Sequence, residues 1–177
     1  MKIEITRATS EQLKKKPAPG AGVGFGQIFT DHMFLMDYEE GKGWLNPRIQ
    51  PYGPLSLDPA ALVFHYGQEV FEGLKAYRWQ DGDIYLFRPR LNYERLNRSA
   101  RTLCMPAVDV EDMLEATRKL VWLERDWVPS EPGISLSVVG RRRASIRYVR
   151  QYCKGAARRR CRGYGQRDPA CRIIHNR

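Results

Sequence analysis

The chain has 177 residues, 42% of them hydrophobic and 28% charged, which is typical of one globular domain or at most two small ones. No stretch approaches the ~20 consecutive apolar residues of a membrane helix, and the first residues lack the apolar segment of a secretory signal. We therefore expect a soluble, cytoplasmic protein with no membrane partner.

The net charge of +10 is distributed unevenly. Residues 1–136 contain 17 Lys and Arg against 19 Asp and Glu, whereas residues 137–177, here called the tail, contain 13 against 1. Three of the four cysteines also lie in the tail and only Cys104 precedes it. The first 136 residues therefore resemble an ordinary protein of a reducing compartment.

Residues 1–24 are polar and end in a stretch rich in glycine and proline. Gly20 and Gly22 do not begin a complete Gly-x-Gly-x-x-Gly, and no predicted strand precedes them, so a phosphate loop is not indicated. We predict a flexible lead-in over residues 1–24.

Two strand pairs are predicted next. Residues 28–38 have a strand-like pattern with one face mostly apolar, and after a turn residues 44–50 supply an antiparallel partner. Residues 73–79 and 83–87 flank the turn Gln80-Asp81-Gly82 and predict a second hairpin.

Three helical segments are also predicted. Asp58-Pro59 is a helix-start signal for a short helix. Residues 89–103 predict a second helix, and Asp109 can cap a third. One side of the second helix should consist of Asn92, Leu96, Ala100 and Leu103. The third has an apolar stripe consisting of Val110, Met113, Leu114, Thr117, Leu120 and Val121.

The order of these elements predicts the fold class. Residues 129–133 interrupt the chain and residues 134–136 begin a further strand. Strands first and helices after, joined by hairpins, predict an α+β domain built on an antiparallel sheet with helices.

The segment 65–78 has the composition of a pocket wall. Its aromatic residues Tyr66 and Phe71 lie near Gly67 and Gly73, where a missing side chain lets a backbone or a ligand approach closely. The alternative for these aromatic residues is ordinary core packing.

Arg95 is a candidate anion clamp. It lies one turn into the helix that begins at Pro89, and a planar fork of five N–H donors can hold a phosphate. The alternative is a solvated arginine. A metal site is not predicted, because His65 and Glu69 lack a third ligand at a convincing spacing.

Four segments in order, with compatible spacing, closely resemble the branched-chain amino acid aminotransferases, fold-type IV enzymes that use pyridoxal phosphate. They are residues 25–33 (FGQIFTDHM), 65–78 (HYGQEVFEGLKAYR), 87–96 (FRPRLNYERL) and 126–129 (DWVP). The resemblance implies that residues 25–136 form the small N-terminal domain of such an enzyme, incomplete at its end.

The resemblance also implies site residues. In the family, the arginine that matches Arg95 contacts the cofactor phosphate, and the aromatic residues that match Phe25, Tyr66 and Phe71 help to form the substrate side-chain pocket. Core packing stays open as the alternative for Phe25 and Phe71. The implied reaction is amino transfer from Leu, Ile or Val to 2-oxoglutarate by a homodimer, so the implied small-molecule partners are branched-chain amino acids and 2-oxo acids.

The resemblance ends abruptly after Leu136. The family's Schiff-base lysine lies in a Lys-x-Gly-Gly-Asn-Tyr context, which does not occur in these 177 residues. The family also continues with Tyr-x-Arg-Pro where this chain has Ser137-Val138-Val139-Gly140-Arg141. We therefore assign no catalytic residue and expect a truncated or frameshifted fragment that is inactive alone.

The tail has three interpretations. Its 12 arginines and its lack of Leu, Glu, Phe, Trp, Met and Thr favour an out-of-frame, disordered segment. A nucleic-acid arm is the alternative, because the runs 141–143 and 158–160 could neutralise phosphates and the tyrosines could stack on bases. A metal site is disfavoured because no Cys-x-x-Cys pair occurs among Cys153, Cys161, Cys171 and His175.

Overall fold

Two helices pack on one face of a mostly antiparallel sheet in a computed structural model of the chain. The structure describes residues 1–18, 21, 26–144, 148–159 and 172–174, and from residue 141 onward only their backbone. The predicted α+β class is confirmed.

Eight strands and three α-helices make up this part of the chain. The strands are β1 (Glu4–Ile5), β2 (Phe29–Glu39), β3 (Gly43–Pro51), β4 (Glu69–Arg78), β5 (Ile84–Leu86), β6 (Ile134–Ala144), β7 (Tyr148–Arg159) and β8 (Arg172–Ile174). The helices are α1 (Leu62–Tyr66), α2 (Pro89–Thr102) and α3 (Val110–Leu123). The sheet order is β1-β3-β2-β7-β6-β4-β5-β8, and only the β1–β3 pair is parallel.

Both predicted hairpins are confirmed. In β2–β3, His32 pairs with Pro51 and Glu39 pairs with Gly43. In β4–β5, Ala76 pairs with Leu86, and the turn contains Gly82 at φ 83°. A positive φ is costly for most other residues, so this glycine fits the tight turn that the sequence predicts.

The third predicted helix begins where expected, whereas the first begins later. The Asp109 side chain accepts a hydrogen bond from the Asp112 N–H at 2.9 Å and caps α3. Asp58 instead accepts from the Ala60 N–H at 2.8 Å. This local turn uses the aspartate before the helix begins, so α1 starts at Leu62 rather than directly after Asp58-Pro59.

Two of the four residues predicted for the buried side of α2 are wrong. Its buried residues are Tyr93, Leu96, Asn97 and Ala100. The Tyr93 hydroxyl makes a hydrogen bond to Thr117 on α3, and the Asn97 amide bonds to both backbone groups of Val108. These polar contacts turn α2 so that Leu103 is partly exposed and Asn92 lies toward β4.

The main core lies between the sheet and the helices. The predicted stripe of α3 is buried there except for Val110, which is partly buried. A smaller cluster on the other side of β2 contains Met33 and Leu35, packed against Tyr52 and Leu55. Among the residues that the structure describes, no helix combines the length and the apolar character that crossing a membrane requires.

The lead-in is attached to the domain, which differs from the flexible segment that the sequence predicts. The Met1 ammonium lies 2.7 Å from Asp112, Ile3 is buried, and β1 pairs with β3. The pairing satisfies backbone groups along β3, and the burial of Ile3 adds apolar contact. Residues 19–20 and 22–25 lie outside the described residues.

Part of the tail has strand backbone, where the sequence predicts disorder. Residues 137–144 continue β6 beside β4, β7 lies between β2 and β6, and β8 pairs with β5. Strand pairing uses backbone groups that every residue except proline has, and the tail has no proline before Pro169. Residues 145–147, 160–171 and 175–177 lie outside the described residues. The domain boundaries after residues 24 and 136 stay predictions.

Candidate functional site

Strand β4 separates two kinds of surface. Its side chains alternate, so that Val70, Glu72, Leu74 and Ala76 are buried whereas Phe71 and Gly73 are exposed. Alternation places Glu72 on the face covered by the helices and Phe71 on the opposite face. The Phe71 side chain is 74% exposed, so the alternative of core packing is wrong for this residue.

Tyr66 is also on the surface, at 81% exposure. It is the last residue of α1, which ends at Gly67 in the left-handed conformation with φ 58°. Such a helix end suits glycine because it has no Cβ. Phe64, on the same short helix, is exposed as well. Phe25, the third predicted pocket residue, lies outside the described residues.

Arg95 extends from α2 to the buried carboxylate of β4. Its Nε donates to Oε2 of Glu72 at 2.6 Å, and its Nη2 donates to Oε1 at 2.5 Å. Two parallel charge-assisted hydrogen bonds fix the plane of the guanidinium as well as its position. Arg95 is therefore a paired arginine as well as a largely solvent-exposed one.

Further donors hold the Glu72 carboxylate. Oε1 accepts from the Gly73 N–H at 2.9 Å and from Nδ2 of Asn92 at 3.2 Å. Burial raises the pKa of Glu72, but the hydrogen bonds from Arg95, Asn92 and Gly73 outweigh it, so the pKa lies below its ordinary value. The side chain is 5% exposed, and it is therefore a fixed anion at neutral pH.

Arg95 keeps donors that Glu72 does not use. The contact with Glu72 takes the Nε–H and one Nη2–H, and a guanidinium has five N–H donors. The Arg95 side chain is 61% exposed. Its Nη1 edge is therefore accessible to an anion, while its Nε edge is held by the protein.

This arginine lies where one edge of β4 is open. Strand β5 pairs only with Ala76–Arg78 of β4, and within the described residues no strand pairs with residues 69–75 on that side. Helix α2 runs along the gap, where Asn92 donates to the Gly73 carbonyl at 3.2 Å. A Cβ added at Gly73 would meet nothing within 4 Å.

Glu72, Gly73, Asn92 and Arg95 together are called the β4 rim below. At this rim the helix-covered face and the open face of the sheet meet. The structure thus joins Arg95 to Glu72 and places Phe71 next to the rim in sequence but on the other face. A ligand that used both Arg95 and Phe71 would have to lie across the edge of β4.

Glu72 and Asn92 are the rim residues that the sequence analysis did not single out. A signal for Asn92 was present, because Asn92 and Arg95 are three residues apart and share one face of a helix. A signal for Glu72 was also present, since it is an acidic residue at an inward position of an otherwise apolar alternation. A buried carboxylate needs a partner, and Arg95 is that partner.

A second buried polar cluster lies away from the rim, between β2 and the end of α3. Glu124 accepts from the Asp31 N–H at 3.1 Å and contacts Nδ1 of His32. Trp127 donates from Nε1 to Asp31 at 2.8 Å. Burial raises the pKa of Glu124, against the hydrogen bonds from His32 and Asp31. This cluster joins two of the matched segments, residues 25–33 and 126–129.

The metal interpretations find no support among the residues described. No group of three or more metal-ligating side chains occurs there. The ring of His65 contacts the Pro59 carbonyl through Nε2 at 2.9 Å. The tail cysteines and arginines belong to the part of the chain whose side chains are not described.

Comparison with known proteins agrees with the resemblance. The chain is 59% identical over 134 residues to branched-chain-amino-acid transaminase 1 of Bacillus subtilis (strain 168), covering 76% of this chain and 37% of that protein. It is 45% identical over 138 residues to the mitochondrial branched-chain-amino-acid aminotransferase of Rattus norvegicus, covering 78% and 34%. The chain thus spans about a third of the length of these relatives. No family model matches it.

Solved structures show the same fold. The branched-chain amino acid aminotransferase of Escherichia coli aligns with a TM-score of 0.52 at 17% identity, covering 71% of this chain and 39% of that one. The enzyme of Thermoproteus uzoniensis, solved with norvaline, aligns with a TM-score of 0.50 at 22% identity, covering 71% and 41%. None of these proteins supports the nucleic-acid interpretation of the tail. The chain thus corresponds in sequence to about a third of a branched-chain-amino-acid aminotransferase, and the solved structures show that it has the same fold.

Proposed function

We propose that this chain forms one side of a pyridoxal phosphate site that transfers amino groups between branched-chain amino acids and 2-oxo acids. The observation that carries the proposal is the state of Arg95. Its guanidinium is fixed by Glu72 on one edge and open on the other. This is the arrangement that a rigid phosphate anchor requires.

The β4 rim fits the cofactor in charge and in space. A phosphate monoester carries close to two negative charges at neutral pH, and Arg95 offers unused donors to it. The space beside Gly73 is open, so a planar ring could approach the backbone of β4. In this proposal Arg95 holds the phosphate and the ring lies toward the open face.

The exposed aromatic residues would form the pocket for the substrate side chain. Phe71 and Tyr66 present large apolar surfaces that nothing in the described chain covers, and Phe25 is proposed as a third member. An apolar pocket discriminates by only about 1–3 kcal/mol per methylene. We therefore propose that Leu, Ile and Val are all accepted.

When bound, pyridoxal phosphate would supply the electron sink for amino transfer. The residues of this chain would bind and orient it, and we assign none of them to proton transfer. The family's lysine context is missing from the 177 residues. We therefore propose that this chain alone binds the cofactor weakly and does not turn over substrate.

We further propose that the working enzyme is a homodimer, that it acts in the cytoplasm and that the tail is an out-of-frame product. The last rests on the abrupt change of composition within β6, after Leu136. Another reading frame of the coding sequence should then spell Tyr-x-Arg-Pro after this leucine, and the idea fails if neither alternative frame does.

The phosphate anchor is tested by a titration with two ligands. Pyridoxal phosphate and pyridoxal, which lacks the phosphate, are titrated into the wild-type chain, Arg95→Gln and Arg90→Gln, with binding followed by absorption. Arg90 lies on the same helix but pairs with Glu111, so it controls for the lost charge. We expect Arg95→Gln to weaken pyridoxal phosphate binding about tenfold or more and to leave pyridoxal binding unchanged.

Equal affinity of wild type and Arg95→Gln for pyridoxal phosphate would overturn the assignment of Arg95. A separate assay tests the proposed lack of turnover. The purified chain is incubated with leucine, 2-oxoglutarate and pyridoxal phosphate, and glutamate is measured. Measurable glutamate formation would contradict the proposal that the chain is inactive alone.

A further inference from the structure

We propose that Glu72 is a positioning residue, whose carboxylate orients the Arg95 guanidinium for an anion at the β4 rim. The inference rests on the proposed function of Arg95 as the phosphate anchor. It concerns a residue that does not touch the ligand itself, and it explains why a buried carboxylate lies beside a residue that should attract anions.

The geometry divides the donors of Arg95 into two groups. Glu72 occupies the Nε–H and one Nη2–H, at 2.6 and 2.5 Å. Because a guanidinium is planar, fixing these two directions also fixes the directions of the remaining three N–H bonds. The exposed Nη1 edge is therefore presented in one orientation rather than in many.

Glu72 is itself held rigidly enough for this task. Three residues on two elements supply its donors: Gly73 on β4 itself, and Asn92 and Arg95 on consecutive turns of α2. Its carboxylate is buried whereas Arg95 is largely exposed. A long, mobile side chain thus gains a fixed contact on a strand of the central sheet.

Electrostatics alone predicts that Glu72 weakens phosphate binding rather than strengthening it. A carboxylate beside Arg95 cancels much of the positive potential that draws a phosphate to it. If attraction dominated, removing the negative charge of Glu72 would strengthen phosphate binding. If orientation dominates, as proposed, removing it would weaken binding, because the arginine must then lose rotational freedom when the ligand binds. Whether phosphate binding strengthens or weakens when the Glu72 charge is removed therefore separates attraction from orientation.

The test compares Glu72→Gln with Glu111→Gln. Both substitutions remove one carboxylate that contacts an arginine of α2, but Glu111 pairs with Arg90. Each folded variant is titrated with pyridoxal phosphate and with pyridoxal at one fixed ionic strength. We expect Glu72→Gln to bind pyridoxal phosphate about tenfold more weakly, with pyridoxal unaffected, and Glu111→Gln to bind both as the wild type does.

A spectroscopic measurement on the wild-type chain covers the case in which Glu72→Gln does not fold. The Arg95 Nε–H resonance is followed by ¹⁵N NMR during addition of pyridoxal phosphate. We expect it to be protected from exchange before addition and to keep that protection afterwards, while the Nη resonances shift. Loss of the Nε–H protection on binding would overturn the inference, because Arg95 would then release Glu72 to reach the ligand.

The outcomes distinguish the two proposals. If Arg95→Gln weakens pyridoxal phosphate binding but Glu72→Gln leaves it unchanged or strengthens it, Glu72 does not position Arg95 and the proposed anchor stands. If wild type and Arg95→Gln behave alike, including no binding by either, the anchor fails and the role of Glu72 fails with it.

Discussion

The Nε2 atom of His32 accepts a hydrogen bond from the backbone N–H of Ala8 at 2.8 Å. An imidazole that accepts at Nε2 is neutral and carries its proton on Nδ1, the atom that contacts Glu124. One buried histidine therefore links the lead-in to the end of α3. This contact anchors a segment that the sequence predicts to be flexible.

Removing the carboxylate of Glu124 should destabilise the domain. Glu124→Ala leaves the Asp31 N–H and the His32 Nδ1–H without a partner in a buried site. Each buried unsatisfied group costs about 1–3 kcal/mol, so we expect the free energy of unfolding to fall by about 3 kcal/mol in urea denaturation. Glu11→Ala, at an exposed position, should change it little. Equal values for the two variants would show that the buried cluster contributes nothing.

The two buried glutamates should respond to pH with opposite signs. The pKa of Glu72 in the folded chain lies below its ordinary value of 4.5. As the pH falls below 4.5, the Glu72 carboxylate therefore becomes protonated in the unfolded chain before it does so in the folded chain. The stability that Glu72 contributes is thus present above pH 4.5 and is lost on acidification. The difference in unfolding free energy between wild type and Glu72→Gln should shrink as the pH falls below 4.5. A difference independent of pH would contradict the lowered pKa.

Glu124 should show the reverse dependence. Burial raises the pKa of Glu124 in the folded chain above 4.5. At pH values between 4.5 and this raised pKa, the Glu124 carboxyl group is therefore protonated more in the folded chain than in the unfolded chain. Its contribution is therefore greatest at acid pH and declines as the pH rises through the folded pKa. Urea titrations at several pH values should show Glu124→Gln gaining stability relative to wild type as the pH rises. A relative loss over that range would contradict this account.

The side-chain amide of Asn97 should contribute to the stability of the folded domain. It accepts from the Val108 N–H at 2.9 Å and donates to the Val108 carbonyl at 2.8 Å, within the core. Asn97→Ala leaves both backbone groups unpaired, and we expect a loss of about 2–4 kcal/mol in unfolding free energy. Ser99→Ala on the exposed side of α2 serves as the control. A loss below that of the control variant would rule out this role for Asn97.

The opposite faces of β4 give a matched pair of substitutions. Leu74 is buried, so Leu74→Ala should cost about 2–5 kcal/mol of stability. Phe71 is exposed, and Phe71→Ala should change stability by about 0.5 kcal/mol or less. Urea denaturation of both variants tests whether the open face is uncovered. A comparable loss for Phe71→Ala would mean that its ring packs against the protein.

The sequence predicted the elements that depend on local signals. A strand-like pattern over residues 28–38 gave the first hairpin, the turn Gln80-Asp81-Gly82 gave the second, and the capping aspartate Asp109 gave the start of α3. The rotation of α2 could not be predicted, because it is set by the contacts of Tyr93 and Asn97 with residues beyond the helix. The same holds for the attachment of the lead-in, which depends on His32, a residue 24 positions from Ala8.

The candidate site was predicted in part. Arg95 was singled out by its position after Pro89 and by the resemblance, but its partner Glu72 lies 23 residues earlier. Only the fold brings α2 beside the open edge of β4. The assignment of Phe25, Tyr66 and Phe71 to one pocket stays a prediction.

The most direct test is a crystal structure of the chain with pyridoxal phosphate, in which the distance from the phosphate to Arg95 is measured. We expect a phosphate oxygen at about 2.7–2.9 Å from Nη1 of Arg95, with both hydrogen bonds to Glu72 retained. A phosphate bound elsewhere, with Arg95 contacting only Glu72, would contradict the account.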